Sequence, residues 1–250
     1  MSARRVYRIS GNDREPFLQN LVTNDVERLK DGLVWAALLT PQGKYLADFF
    51  LVPSDNAILL DVSEVLADSL AQRLAMYKLR ADVTIERTEV QVARGTGSAP
   101  TGAFADPRHP SLGWRAYDGR PGENADWAAL RVAAGVPQSG VELIPNDSYP
   151  LEVGFERLNG VDFKKGCYVG QEVTARMKHK TELRKGLRQV EVHGEAPVGT
   201  PITNGAGKKI GTLYSQAAGL GLAYLRLDRA DDQMHAGDAL IALAPDRDTM

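Results

Sequence analysis

Past Gly186 the chain offers no helical periodicity. Leu187–Val192, Pro201–Asn204, Lys208–Ser215, Leu220–Leu227 and Asp238–Leu243 are short apolar runs separated by Gly, Asn or Asp turns. Short strands at such regular spacing fold as a small barrel or sandwich. A boundary is therefore expected near Thr181–Lys185, dividing the sequence into residues 1–183 and 184–250.

The first part mixes both element types. Asn12 or Asp13 is placed to cap a short helix that carries Pro16 in its first turn and Phe17, Leu18 and Leu21 as its apolar stripe, with Asn24-Asp25 ending it. Leu33–Thr40 and Tyr45–Val52, joined by Pro41-Gln42-Gly43-Lys44, read as a β-hairpin. Asp48 is the misfit in its second strand, on one face with Leu46, Phe50 and Val52, where a carboxylate needs a partner. Ala57–Val62 reads as a third strand, and Ser63 caps a helix with Leu66, Leu70, Leu74 and Tyr77 at helical spacing. Strands follow at Asp82–Glu86 and Glu89–Ala93, then a Gly/Pro/Ser-rich stretch from Gly95 to Gly113 without a ligand pattern. After a strand at Trp114–Tyr117, a helix runs from near Asn124 to Gly135 with Trp127 in its first turn. Strands interspersed with single helices, without βαβ alternation, give an α+β class with mainly antiparallel sheets.

Chemistry concentrates at Phe163-Lys164-Lys165-Gly166-Cys167-Tyr168-Val169-Gly170-Gln171-Glu172, which holds the only cysteine. A thiol reacts as its thiolate, which nearby cations and a helix beginning near Gly170 favour, and flanking glycines suit a tight turn open to another molecule. A lone cysteine is otherwise most often a small buried apolar residue. One cysteine and the scattered His109, His179, His193 and His235 give no zinc or iron–sulfur ligand spacing. No P-loop is present. The net charge of −2 sets no basic field for nucleic acid. The run Arg176, Lys178, His179, Lys180, Arg184, Lys185 and Arg188 could accept a phosphate backbone, yet a charge run is more often a solvated face, so direct tRNA binding is the weaker expectation. One cysteine, no secretory signal and no stretch of about 20 apolar residues fit a cytoplasmic protein without a membrane contact.

Lys165-Gly166-Cys167-Tyr168-Val169-Gly170-Gln171-Glu172, continuing through Val173-Thr174-Ala175-Arg176, resembles the signature of the YgfZ family of folate-binding proteins, relatives of the glycine-cleavage aminomethyltransferase (T-protein). Leu143-Ile144-Pro145 to Val161-Asp162-Phe163-Lys164, Phe17-Leu18-Gln19-Asn20 to Thr23-Asn24-Asp25-Val26, Pro41–Lys44, Tyr77-Lys78-Leu79-Arg80 and Leu112-Gly113-Trp114-Arg115 add weaker matches in the same order. The resemblance implies a T-protein-like fold: two interleaved α+β parts around a central folate cavity, and a C-terminal β-barrel. It implies tetrahydrofolate or a one-carbon derivative as ligand, iron–sulfur client proteins, including tRNA-modifying enzymes, as partners, and a role in iron–sulfur cluster assembly or repair. It further implies Cys167, Lys165 and Asp48 for chemistry, and Trp127, Asn24, Asp48, Tyr168, Gln171, Glu172 and Arg176 for folate. Cys167 would attack a damaged cluster's sulfur, form a mixed disulfide or lend one thiolate ligand. The aminomethyltransferases carry an Asp-Asp pair where this chain has Ala47-Asp48, and they lack the cysteine signature. A tetrahydrofolate-dependent aminomethyl or other one-carbon transferase, with Asp48 as acid/base group, is the alternative.

Overall fold

The computed structural model describes residues 3–180 and 183–245, with nothing to be said of the Lys180 side chain. Part of the expected boundary, residues 181 and 182, lies outside them. Strands β1 (Arg4–Ser10), β2 (Val34–Leu39), β3 (Tyr45–Ser54), β4 (Ala57–Ser63) and β5 (Thr84–Arg87) form an antiparallel sheet in the order β2-β3-β4-β1-β5. Helix α1 (Arg14–Gln19) follows β1, and α2 (Glu64–Lys78) packs on the sheet through Leu66, Ala67, Leu70 and Leu74. Tyr77, in the last turn of α2, departs from the expected stripe and is 38% exposed.

A small second sheet, β6-β8-β7, comprises β6 (Ala93–Gly95), β7 (Phe104–Ala105) and β8 (Trp114–Ala116). The strand expected at Glu89–Ala93 is absent: Glu89 and Gln91 are exposed, and pairing begins only at Ala93, opposite Ala116. Helix α3 (Trp127–Ala133) is shorter than expected because Asp126 caps it, accepting from the Ala129 N–H at 2.9 Å. Residues 136–170 then return to the first sheet. There Phe155 stacks on Trp35 with centroids 4.3 Å apart, a pair worth about 0.5–1.5 kcal/mol beyond its buried area. Helix α4 (Gln171–Lys180) starts where the sequence places it.

The C-terminal strands β9 (Lys185–His193), β10 (Thr200–Thr203), β11 (Lys209–Ala217), β12 (Leu220–Arg226), β13 (Met234–Ala236) and β14 (Ala239–Leu243) close into a barrel of order β10-β11-β12-β9-β14-β13. Five of these were legible, whereas the three-residue β13 was too short to show alternation. Val190, Val192, Ile202, Ile210, Leu213, Leu225 and Ile241 fill the interior. The barrel is tied to the rest by polar contacts, two of them centred on the buried carboxylates Glu142 and Glu152. Tyr224 donates to Glu152 at 2.5 Å, Gln189 Nε2 donates to the Val132 and Ala133 carbonyls at 2.7 and 3.0 Å, and Glu142 joins Arg131 to the Ser215 N–H.

Candidate functional site: the cysteine loop and its supports

The loop from Lys165 to Gly170 is held at both ends. Gly170 has φ +85°, and a Cβ there would lie 2.6 Å from the Thr40 carbonyl oxygen and 3.0 Å from Gly43 Cα. Gly43, at φ +75° in the β2–β3 turn, would in turn press a Cβ to 2.9 Å from Val173 Cβ. Both close approach and backbone sign therefore require glycine at this contact, which seats the start of α4 on the hairpin turn.

At the other end, Lys165 Nζ donates to the Gln19 and Val22 carbonyls at 2.5 and 2.9 Å and lies 5.0 Å from the centroid of the Tyr168 ring. Burial lowers its pKa to about 8, against the opposing pull of Asp25, Asp162 and the Cys167 thiol. The segment before the loop is fastened by Thr23, whose Oγ1 donates to the Gly160 carbonyl at 2.7 Å and whose carbonyl accepts from the Asp162 N–H at 3.0 Å. Cys167 itself is a free, exposed thiol, so the buried-cysteine reading fails. The arrangement can present one thiol beside one ammonium to a docking molecule. Among the described residues no group of three or more His, Cys, Asp or Glu is arranged to hold a metal, and no helix is long and apolar enough to cross a membrane.

The other expected site residues are scattered. Tyr168 is buried, and burial pushes its phenol up to about 12. Gln171 is half-buried, while Glu172 and Arg176 are exposed and pair with each other at 3.0 Å. Asn24 is buried with its amide spent on the Trp35 and Asn159 carbonyls at 2.8 and 2.7 Å. It also lines a cavity of about 400 Å³ with Arg28, Trp35, Phe104, Pro107 and Asn159. Asp48 is 4% exposed and accepts from Trp35 Nε1 at 3.0 Å, Tyr45 OH at 2.7 Å and Ser139 Oγ at 2.6 Å. Its carboxylate thus has the partners the sequence required, but it is enclosed by protein donors, which fits an acid/base role poorly. Trp127 is 8% exposed with Arg94 covering its ring at 4.1 Å, so neither face is an open stacking platform.

Three features escaped the sequence. Glu152 at the barrel contact, Ser139 against Asp48, and the carbonyl cradle of Lys165 join residues too far apart in the chain for spacing to reveal. The Gly95–Gly113 stretch, read as a loop without chemistry, instead carries Asp106 and Arg108 into a buried ion network. Among the described residues, three of the seven in the basic run are paired: Arg176 with Glu172, Lys178 with Glu156, and Lys185 with Glu152 at 3.6 Å.

Residues 184–247 match the family model of the CAF17 C-terminal beta-barrel domain. The chain is 30% identical over 284 residues to the mitochondrial iron-sulfur cluster assembly factor IBA57 of Mus musculus, spanning 94% of this chain and 79% of the relative. The chain belongs to the IBA57 family. The Homo sapiens member is 29% identical over 297 residues, covering 98% of this chain and 83% of its own length. At the level of fold, the glycine cleavage system aminomethyltransferase T of Bartonella henselae superposes with a TM-score of 0.74 at 13% identity, over 96% of this chain and 82% of that one. The expected T-protein-like α+β fold with its C-terminal barrel is thereby established. The YgfZ resemblance holds in a coarser form, as membership of the IBA57 family on this fold.

Lys165→Met leaves the Gln19 and Val22 carbonyls without their donor, so it should lower stability by about 1–3 kcal/mol, read as a lower urea midpoint. An unchanged midpoint would show that the carbonyl cradle does not hold the loop.

Proposed function

We propose that this chain is an iron–sulfur cluster assembly factor that lends the Cys167 thiolate to a cluster whose other ligands come from a client protein. The observation that carries this reading is the exposed, unpaired Cys167 on a loop pinned by Lys165 and Gly170. A chain with one cysteine cannot hold a cluster alone, so delivery or protection of a partner's cluster suits it better than storage. The names of its relatives, iron-sulfur cluster assembly factors, support the same role. Clients would include iron–sulfur enzymes that modify tRNA, and the free thiol suits the cytoplasm or another reducing compartment.

Tetrahydrofolate, or a one-carbon derivative, is the proposed small molecule. The cavity of about 400 Å³ beside Asn24 lies within the usual range for such ligands, with Trp35 and Phe104 as apolar walls and Arg28 as a polar one. In this reading Trp127 and Asp48 support the cavity's surroundings rather than line it. The transferase alternative loses its acid/base group, since Trp35, Tyr45 and Ser139 occupy Asp48.

Cys167→Ser should fold as wild type, because the side chain is exposed, yet fail to restore [4Fe–4S] enzyme activity in cells lacking the native protein. Full restoration would sink the thiolate role. By calorimetry, tetrahydrofolate should bind wild type and lose about three- to tenfold in affinity on Phe104→Ala, the scale of one lost aromatic contact. No binding to wild type would remove folate from the account.

A further inference from the structure

Four arginines meet where the first sheet faces the small one: Arg4 of β1, Arg94 of β6, Arg108 just after β7 and Arg115 of β8. Two carboxylates answer them. Asp61 accepts from Arg4 Nε at 2.6 Å, Arg115 Nη1 at 3.1 Å and Tyr117 OH at 2.9 Å. Asp106 accepts from Arg108 Nε and Nη2 at 2.9 and 2.8 Å and from Arg115 Nε at 3.1 Å. Both oxygens of each carboxylate are thereby engaged by the other three arginines.

Arg94 is left over. Among the described residues it pairs with no carboxylate, and its guanidinium carbon lies 4.1 Å from the Trp127 ring centroid. Glu123, whose N–H donates to the Arg94 carbonyl at 2.8 Å, turns its own carboxylate to the Thr96 N–H and hydroxyl at 2.7 and 2.8 Å. Two buried N–H groups without a hydrogen-bond partner, Arg94 Nε and Trp127 Nε1, therefore sit on side chains in contact. Burial, with the like charges of Arg115 and Arg108, lowers the Arg94 pKa to about 9, which is the cost of a guanidinium without a counter-ion. Buried donors of this kind are normally satisfied, and a cluster with four guanidinium groups against two carboxylates attracts an anion.

We propose that Arg94 and Trp127 form a binding site for a small-molecule oxyanion, carboxylate or phosphate, with Arg94 supplying charge and its Nε–H, and Trp127 a neutral Nε1–H. Arg94 is only half-buried, so the ligand has a path from solvent. Two sources share this chemistry. One is a free inorganic anion. The other is the glutamyl carboxylate of a bound folate, since Arg108 of the same cluster lies 5.7 Å over the ring of Trp35, a wall of the neighbouring cavity. The site stands whether or not folate is the ligand.

The test titrates inorganic phosphate against chloride at matched ionic strength and follows the melting temperature of wild type, Arg94→Met and Trp127→Phe. Phosphate should raise the wild-type Tm saturably and leave Arg94→Met unmoved. Trp127→Phe keeps the ring and loses the N–H, so it should bind phosphate about three- to tenfold more weakly. Arg94→Met, freed of an unpaired buried charge, should melt in chloride at or above the wild-type temperature, which shows that it folds. A second arm compares tetrahydrofolate with tetrahydropteroate, which lacks the glutamyl group. A tenfold difference in wild type that vanishes in Arg94→Met identifies the folate carboxylate as the anion. Equal binding of the two, with phosphate still sensed through Arg94, identifies a free anion. If wild type responds to phosphate as it does to chloride, and loss of the glutamyl group is felt equally with and without Arg94, the site does not exist.

Discussion

The contact between Gly170 and the β2–β3 turn is the constraint on which the cysteine loop depends. With a Cβ excluded at 2.6 Å from the Thr40 oxygen, the chain can enter α4 only at glycine, and the turn can receive it only at Gly43. Segments around residues 20, 43 and 168 thereby converge, with Lys165 closing the arrangement on the Gln19 and Val22 carbonyls. An exposed thiol is thus fixed by backbone contacts on either side rather than by its own side chain, which leaves it free to engage a partner.

Buried polar groups do the joining between the parts of this fold. Asp48 binds two residues of the first sheet to Ser139 of the returning segment, Asp61 and Asp106 hold the two sheets together through Arg115, and Glu152 and Glu142 reach the barrel. Breaking one partner of such a buried pair costs more than its presence contributes, because an uncompensated charge remains. The same logic makes Lys165, with its lowered pKa, and Arg94, with no carboxylate, stand out: each is a half-buried cation whose charge burial disfavours. Groups kept in that condition are more informative about ligands and partners than the well-paired majority.

Much of the fold was legible because its elements obey local rules. The hairpin announced itself through Pro41–Lys44, α2 through Leu66, Leu70 and Leu74, and the barrel through evenly spaced strands and turns. The errors lie where tertiary pairing overrides pattern: β6 begins at Ala93 rather than ending there, and β7 and β13 are too short to carry a period. In the site, the cysteine loop was visible as a cluster of unusual neighbours, and Asp48 as a polar residue on an apolar face. Their partners were not. Ser139 lies 91 residues from Asp48, and Gln19 lies 146 from Lys165, separations across which composition and spacing say nothing.

Amide hydrogen exchange on Gly170→Ala tests most directly whether the glycine contact sets the cysteine loop. The account predicts that exchange across residues 163–176 accelerates by at least about tenfold, the opening expected from losing more than about 1.4 kcal/mol locally, while the barrel strands β9 and β12 keep wild-type rates. Wild-type exchange throughout residues 163–176 would contradict it and would mean that the loop is held by something other than its close approach to the hairpin turn.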